Sequence, residues 1–349
     1  MSLPIDKPVV ALTLGDPAGI GAELIARLLA RPETTAAANV VLVGDPWLWA
    51  DGQRIAGVEV ATEPVASLAE VRGRADSSRP AFLAVDTIAP QQVVRSQSDA
   101  AGGRSVLQVL DSCMDAALAG DIDAICFAPL NKHAMKLGGL KHEDELHHFA
   151  QYLGVTGYFC EFNTLDALWT CRISSHVPLA EVPKYITGER IIAAAGLMVR
   201  SLQASGIAAP RVAVAGLNPH NGEGGTCGRE EIDVIEPAVR ELNALGLPVV
   251  GPFSADTIFL RARDGELDAI VTMYHDQGQI AIKLMGFSRG VTVQGGLPVP
   301  ITTPAHGTAY DIAGQGRADV TATANAFAIA ARMGRAQRES FLSNQKFAA

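Results

Sequence analysis

The sequence predicts an α/β protein, and three observations carry that prediction. Short strand-like runs alternate with helical patterns along the whole chain. The runs are continuously apolar rather than alternating, as in parallel strands covered on both faces. Apolar residues make up 48% of the 349 residues, charged residues 19% and aromatics 5%, with 34 glycines, a composition suited to tightly packed layers.

The elements follow in order. PVVALTLGD (8–16) is a buried strand entering a glycine-rich turn, and GAELIARLLAR (21–31) is the helix after it. NVVLVGD (39–45) repeats the strand. RSVLQVLDSCMDAALAG (104–120) is an amphipathic helix leading into the strand AICFAPL (124–130). ALWTCRIS (167–174), RVAVAGL (211–217) and DAIVTMY (268–274) are later strands. ERIIAAAGLMVRSLQASG (189–206), EEIDVIEPAVRELNALG (230–246) and DVTATANAFAIAARM (319–333) are helices. No stretch reads as a free linker, an internal repeat or a low-complexity tract. A two-domain division is therefore expected as a cleft within a continuous α/β body, with domains discontinuous in sequence.

The net charge of −9 and the pI near 5.4 argue against nucleic acid, which needs a clustered basic surface. A small anionic substrate stays possible, because a local cluster or a metal overrides the global field. The five cysteines, Cys113, Cys126, Cys160, Cys171 and Cys227, show no paired spacing, as expected for a reducing compartment. The N-terminus lacks a basic segment followed by an apolar one, and no apolar run reaches the ~20 residues of a membrane span. A cytoplasmic protein with neither nucleic-acid nor membrane partners is the expectation.

Three histidines share one context. His176 follows a strand in RISSH (172–176), His220 lies in the turn of VAVAGLNPHNGEGG (212–225), and His275 stands at the end of the strand in AIVTMYHDQG (269–278). Ligands of parallel α/β sheets bind beyond the carboxyl ends of strands, where three neutral imidazoles make a divalent-metal site. Ordinary polar loop residues are the alternative. GDPAGIGAE (15–23) is neither a Rossmann fingerprint nor a P-loop, yet it presents backbone N–H groups at a helix start. It reads equally as a tight turn. AHGTAYDIAGQGRAD (305–319) has the small residues that let backbone approach a ligand, and a plain loop–helix junction fits it too.

KHEDELHHFA (141–150) gathers three histidines and three carboxylates. His142 and His147 are five apart, about 500° around a helix, so they do not share a face as zinc-binding H-E-x-x-H histidines do. A solvated amphipathic helix with Leu146, Phe149 and Tyr152 turned inward is the simple reading.

Together these motifs resemble the 4-hydroxythreonine-4-phosphate dehydrogenase family of pyridoxine biosynthesis and its paralogues. GDPAGIG, APLNK, SSHVPL, GLNPHNGEGG with GREEID, GPFSADTIF, MYHDQG and HGTAYDIAGQGRAD occur in family order over essentially the whole chain. HGTAYDIAGQG is also similar to the nucleotide-binding loop of isocitrate and isopropylmalate dehydrogenases. That resemblance implies two α/β/α domains with a cleft between them. Residues 1–130 plus 285–349 would bind nucleotide, and 131–284 would carry the metal, the substrate and the dimer contacts.

The family implies a homodimer with its active site at the subunit interface. It also implies NAD- or NADP-dependent oxidation of a secondary alcohol β to a carboxylate, often followed by decarboxylation. The implied metal ligands are His176, His220 and His275, for one zinc, cobalt, nickel, manganese or magnesium ion per subunit. Lys283 and Asp256 are the implied catalytic residues. Gly15, Asp16, Gly19, His306, Thr308, Ala309 and Asp311 are the candidates for holding the dinucleotide.

The substrate end departs from the family. Where the biosynthetic enzyme reads GHTE this chain reads DELH (144–147), so a substrate-binding His and Thr become Glu145 and Leu146. An Asn becomes Thr292 and an Arg becomes Ile301, so of five implied substrate contacts only Lys283 is kept. At roughly 1.5–3 kcal/mol per charge-assisted hydrogen bond, the loss is on the order of 5 kcal/mol. The expectation is a paralogue acting on another hydroxy acid, either a four-carbon sugar-acid phosphate gripped differently or a cyclic diol carboxylate. Glu145, His147 and His148 are then the residues to watch. A register shift bringing His142, His147 or His148 into the missing histidine's place is one alternative. A genuine 4-phosphooxythreonine enzyme and a metal-dependent hydrolase without nucleotide are the others.

Overall fold

The computed structural model describes residues 7–74 and 76–348. Its strands are β1 (Val9–Thr13), β2 (Asn39–Gly44), β3 (Glu63–Pro64), β4 (Ala81–Ala84), β5 (Ala124–Phe127), β6 (Cys160–Leu165), β7 (Leu168–Arg172), β8 (Val212–Ala215), β9 (Val249–Phe253), β10 (Ala269–Thr272), β11 (Val291–Gly295) and β12 (Ile301–Pro304). Its α-helices are α1 (Gly21–Leu29), α2 (Pro32–Ala37), α3 (Pro46–Ala56), α4 (Ala100–Ala119), α5 (Lys132–Gly138), α6 (Glu145–Tyr152), α7 (Val182–Tyr185), α8 (Gly188–Ala204), α9 (Glu236–Ala244), α10 (Ala255–Arg263), α11 (His275–Gly286) and α12 (Thr321–Ala348). Among the described residues no helix is long and apolar enough to cross a membrane.

The chain forms two compact units. One runs to Thr156 and takes in residues 291–293 and 297 onward; the other holds Gly157–Gly290 and Gln294–Gly296. The division therefore falls at 156/157, whereas the sequence reading placed a boundary at 130/131. The reason lies in packing. Phe149 of α6 meets Phe127 of β5 edge-on at 5.8 Å, and both sit in one apolar core with Met135 of α5. That burial holds residues 131–156 to the N-terminal strands.

In the first unit the order is β3-β4-β2-β1-β5-β12, parallel throughout. The central strands β1 and β2 are buried at every position, which is why they read as unbroken apolar runs. In the second unit the order is β6-β7-β10-β8-β9. The β6–β7 pair is an antiparallel hairpin, and the remaining pairs are parallel. Its apolar core joins Leu168, Ala213 and Ile270 of the sheet to Ile258 and Phe259 of α10.

Candidate active site

The three strand-end histidines leave one edge of the second unit. The central strand β10 pairs in parallel with β7 on one side and β8 on the other. His176 follows β7, His275 begins the helix after β10, and His220 lies in the turn after β8. Neighbouring strands stand about 4.8 Å apart, so the strand ends that lead to His176 and His220 flank the one that leads to His275. The rings of His176 and His275 are 5.8 Å apart. Closure is incomplete, because the ligand atoms of all three do not lie within 4.8 Å of one another. His275 Nδ1–H donates to Asp276 Oδ1 at 2.7 Å, which leaves Nε2 as the free lone pair. Donor type, tautomer and strand-end placement all fit a divalent cation.

His220 sits on unusual backbone. Residues His220 to Gly224 run consecutively in the left-handed region, with φ of 52°, 56°, 82°, 45° and 62°. Three of these residues are not glycine, and each costs roughly 1–2 kcal/mol in that conformation. A buried carboxylate holds the turn. Glu231, fully buried, accepts from the backbone N–H of Leu217 at 2.7 Å and of Asn218 at 2.8 Å, and from Asn218 Nδ2 at 2.9 Å. The His176 turn has its own brace. Arg172 donates to Ser175 Oγ at 2.9 Å, to Asn163 Oδ1 at 2.8 Å and to Glu161 Oε2 at 2.8 Å.

Two further candidates belong to this unit. Asp256 is exposed in the first turn of α10, beyond the carboxyl end of β9. Lys283 is exposed on α11, eight residues past His275 and so about 12 Å along the helix axis. It does not share the turn of His275.

In the first unit, the two glycine-rich stretches interlock. Ile20 N–H donates to Thr308 O at 3.2 Å, and a side chain at Gly19 would crowd Thr308 Cβ at 3.0 Å. The buried Asp16 accepts from Ala18 N–H at 2.9 Å and from Tyr310 O–H at 2.6 Å. Burial pushes the Asp16 carboxyl up and also raises the Tyr310 phenol, which faces that carboxylate. Ala309 is left-handed, with φ of 43°. Gly15, Asp16, Gly19 and Thr308 are thus brought together as the frame of the loops. His306, its Nδ1 3.0 Å from Gly307 O, and the exposed Asp311 lie on the accessible side.

KHEDELHHFA enters the short helix α6 at Glu145, and several of its charged groups are paired. Asp144 caps α6, accepting from His147 N–H at 3.0 Å and from His147 Nδ1 at 2.7 Å. Burial opposes ionisation of Asp144, but these bonds hold its carboxyl below the usual carboxylate value. Leu146 and Phe149 are buried and Tyr152 is half-buried, as the helical reading expected. Glu145 is 7% exposed and lies 3.4 Å from Lys132 Nζ. His148 Nε2 is 2.8 Å from Asp111 Oδ1. Of the positions aligned with family substrate contacts, Leu146 and Thr292 are buried. Ile301 is fully buried in the core with Phe127 and Phe149, so it packs rather than facing a ligand.

The profile of the PdxA family, described as pyridoxal phosphate biosynthetic protein PdxA, matches residues 36–330. This chain belongs to the PdxA family. It is 54% identical, over 94% of its length and 97% of the other's, to a Pseudomonas aeruginosa protein provisionally named 4-hydroxythreonine-4-phosphate dehydrogenase 2. A Symbiobacterium thermophilum protein provisionally named D-threonate 4-phosphate dehydrogenase is 34% identical, over 96% of this chain and 99% of that one. Among solved structures, 4-hydroxythreonine-4-phosphate dehydrogenase from Burkholderia phymatum superposes with a TM-score of 0.79 at 34% identity, covering 94% and 98% of the two chains. The family and the α/β fold are those the motifs led us to expect. The expected oxidoreductase class is also the one these PdxA relatives carry in their names.

Several site-forming residues escaped the sequence reading. Arg172, Asn218, Glu231 and Tyr310 lay inside quoted motifs, but no role was assigned to them. The one usable signal is GREEID, where two adjacent glutamates precede an apolar helix and point to different sides of it.

Proposed function

We propose that this PdxA-family chain is a divalent-metal- and NAD(P)-dependent dehydrogenase. It oxidises the secondary alcohol of a small anionic hydroxy acid, with decarboxylation where the product is a β-keto acid. The supporting observation is the histidine edge: three imidazoles beyond three neighbouring parallel strands, in a chain whose relatives are named dehydrogenases. A bound divalent cation would supply Lewis-acid stabilisation of charge on the substrate oxygen, and a bound NAD(P) would supply the hydride acceptor. His176, His220 and His275 would hold the cation, whether zinc, cobalt, nickel, manganese or magnesium, and Asp276 fixes the tautomer of His275. Asp256 takes up a proton at the same edge. Lys283 pairs with the substrate anion; its exposed place on α11 accords with a homodimeric site in which another copy takes part. His306, Thr308, Ala309 and Asp311 line the dinucleotide, over the frame of Gly15, Asp16 and Gly19. The enzyme works in the cytoplasm.

The substrate end differs from that of the biosynthetic enzyme. Glu145 carries a negative charge where the family has a substrate-binding histidine, and Lys132 at 3.4 Å is committed to balancing it. A phosphate there meets no net positive charge from this pair. The relative named for D-threonate 4-phosphate makes a four-carbon sugar-acid phosphate, gripped differently, the first candidate. A cyclic diol carboxylate is the second.

A panel of hydroxy acids, with and without phosphate, scored for metal-dependent NADH or NADPH formation tests this reading. We expect activity on one of these classes and little on 4-phosphooxythreonine. Normal turnover and an ordinary KM on 4-phosphooxythreonine would remove the altered-substrate claim and leave the metal chemistry standing.

A further inference from the structure

The histidine edge needs its three turns held at fixed spacing, and one carboxamide ties two of them together. Gln277 stands two residues after His275, in the first turn of α11. Its Oε1 accepts from Met273 N–H at 2.7 Å, just past the end of β10. Its Nε2 donates to Gly216 O at 2.9 Å, just past the end of β8 and four residues before His220. The two bonds fix the amide's orientation, because an N–H must meet oxygen and a carbonyl must meet N–H.

The brace continues on both sides. Met273 O accepts from Ser174 N–H at 3.1 Å and from Ser174 Oγ at 3.0 Å, two residues before His176. Gly216 N–H donates to Phe253 O at 2.8 Å, carrying the tie to β9. Space at Gly216 is tight, since a Cβ there would stand 2.5 Å from Asn221 Oδ1 and 3.2 Å from Glu231 Oε1. A helix cap alone requires only the Met273 bond. The Gly216 bond has a different consequence, because it sets how far the His220 turn stands from His275.

We infer that Gln277 is a positioning residue of the cation site, its carboxamide fixing the spacing of His275 and His220 by locking the end of β10 to the end of β8. This rests on the reading of the three histidines as metal ligands. Groups that orient metal ligands typically account for roughly 10- to 100-fold in metal affinity. Gln277→Glu keeps the acceptor for Met273 but sets a carboxylate against Gly216 O. Charge alone would tighten cation binding in that variant, so a weakening reports the lost brace. Gln277→Met removes both bonds at similar volume.

The test measures zinc affinity by competition with a chromophoric chelator, on the full chain, for wild type, Gln277→Glu, Gln277→Met and His220→Ala. Melting temperature in excess chelator reports the metal-free fold. The expected result is one zinc per wild-type chain, no uptake by His220→Ala, and roughly 10- to 100-fold weaker binding by both Gln277 variants. Their metal-free melting should stay within a few degrees of wild type. Wild-type zinc affinity in both Gln277 variants overturns the inference while the histidine reading stands. Loss of the metal-free fold in both variants also overturns it, since Gln277 is then a general structural residue. A wild type that takes up no zinc overturns the histidine reading itself.

Discussion

Three N–H groups converge on the buried carboxylate of Glu231, and together they hold the turn that carries His220. Glu231→Ala leaves the part-buried N–H groups of Leu217 and Asn218 without this acceptor, each costing roughly 1–3 kcal/mol where water cannot reach it. We expect a loss of about 3 kcal/mol or more, measured as a lower urea midpoint, together with weaker metal uptake. Asp144 makes a smaller, pH-dependent contribution. Asp144→Ala removes the α6 cap and should cost about 1 kcal/mol. Asp144→Asn keeps a cap but not the charge. Because the folded carboxyl titrates below its unfolded value near 3.8, its ionic contribution is present above that pH and lost as pH falls through the folded pKa. Urea midpoints of wild type and Asp144→Asn should therefore differ at pH 7 and converge below pH 3.8. A constant difference across that range would contradict the assignment. At this scale the three histidines were legible because each follows an apolar run ending in a turn. Glu231 was not legible, because its partners lie 13 and 14 residues away and meet it only once the turn closes.

Strands that are buried on both faces, such as β1, β2 and β10, carry their signal in the sequence itself. The hairpin strand β6, CEFNTL, mixes polar and apolar residues and escaped the reading, as did β9, which is interrupted by Gly251 and Pro252. Helix α11 begins HDQG, so its start reads as a turn. Helix α6 is eight residues long and stands by tertiary burial of Leu146 and Phe149 rather than by propensity. Close helix packing is a further property of elements that spacing does not reveal. Helices α4 and α5 approach through Gly103 and Gly138, where a side chain at Gly138 would meet Arg104 N at 2.5 Å. Gly138→Ala should destabilise by about 1–3 kcal/mol through forced separation of the helices. Gly188→Ala, at the open start of α8 with nothing within 4 Å, should change stability by no more than about 1 kcal/mol. Thermal melting of the two variants checks this, and equal losses would contradict the packing account.

At the scale of the whole molecule, the proposed function requires a chain of net charge −9 to accept an anionic substrate, which a local cation at one sheet edge would make favourable against the global field. The family and the fold were readable from motif order. The substrate was not, because the positions that distinguish relatives have been replaced by groups that pair or pack internally: Glu145 with Lys132, and Ile301 with the core. Restoring the family's residues through Glu145→His with Leu146→Thr should raise activity on 4-phosphooxythreonine relative to wild type, read as kcat/KM. No gain would place the specificity elsewhere. The central claim, that His176, His220 and His275 hold the cation on which the oxidation depends, has a more direct test. NAD(P)H formation on the preferred substrate is followed for chelator-stripped wild type and His220→Ala, before and after a divalent cation is restored. The account predicts no activity in stripped wild type, recovery on adding metal, and none in His220→Ala under either condition; full activity in His220→Ala would contradict it.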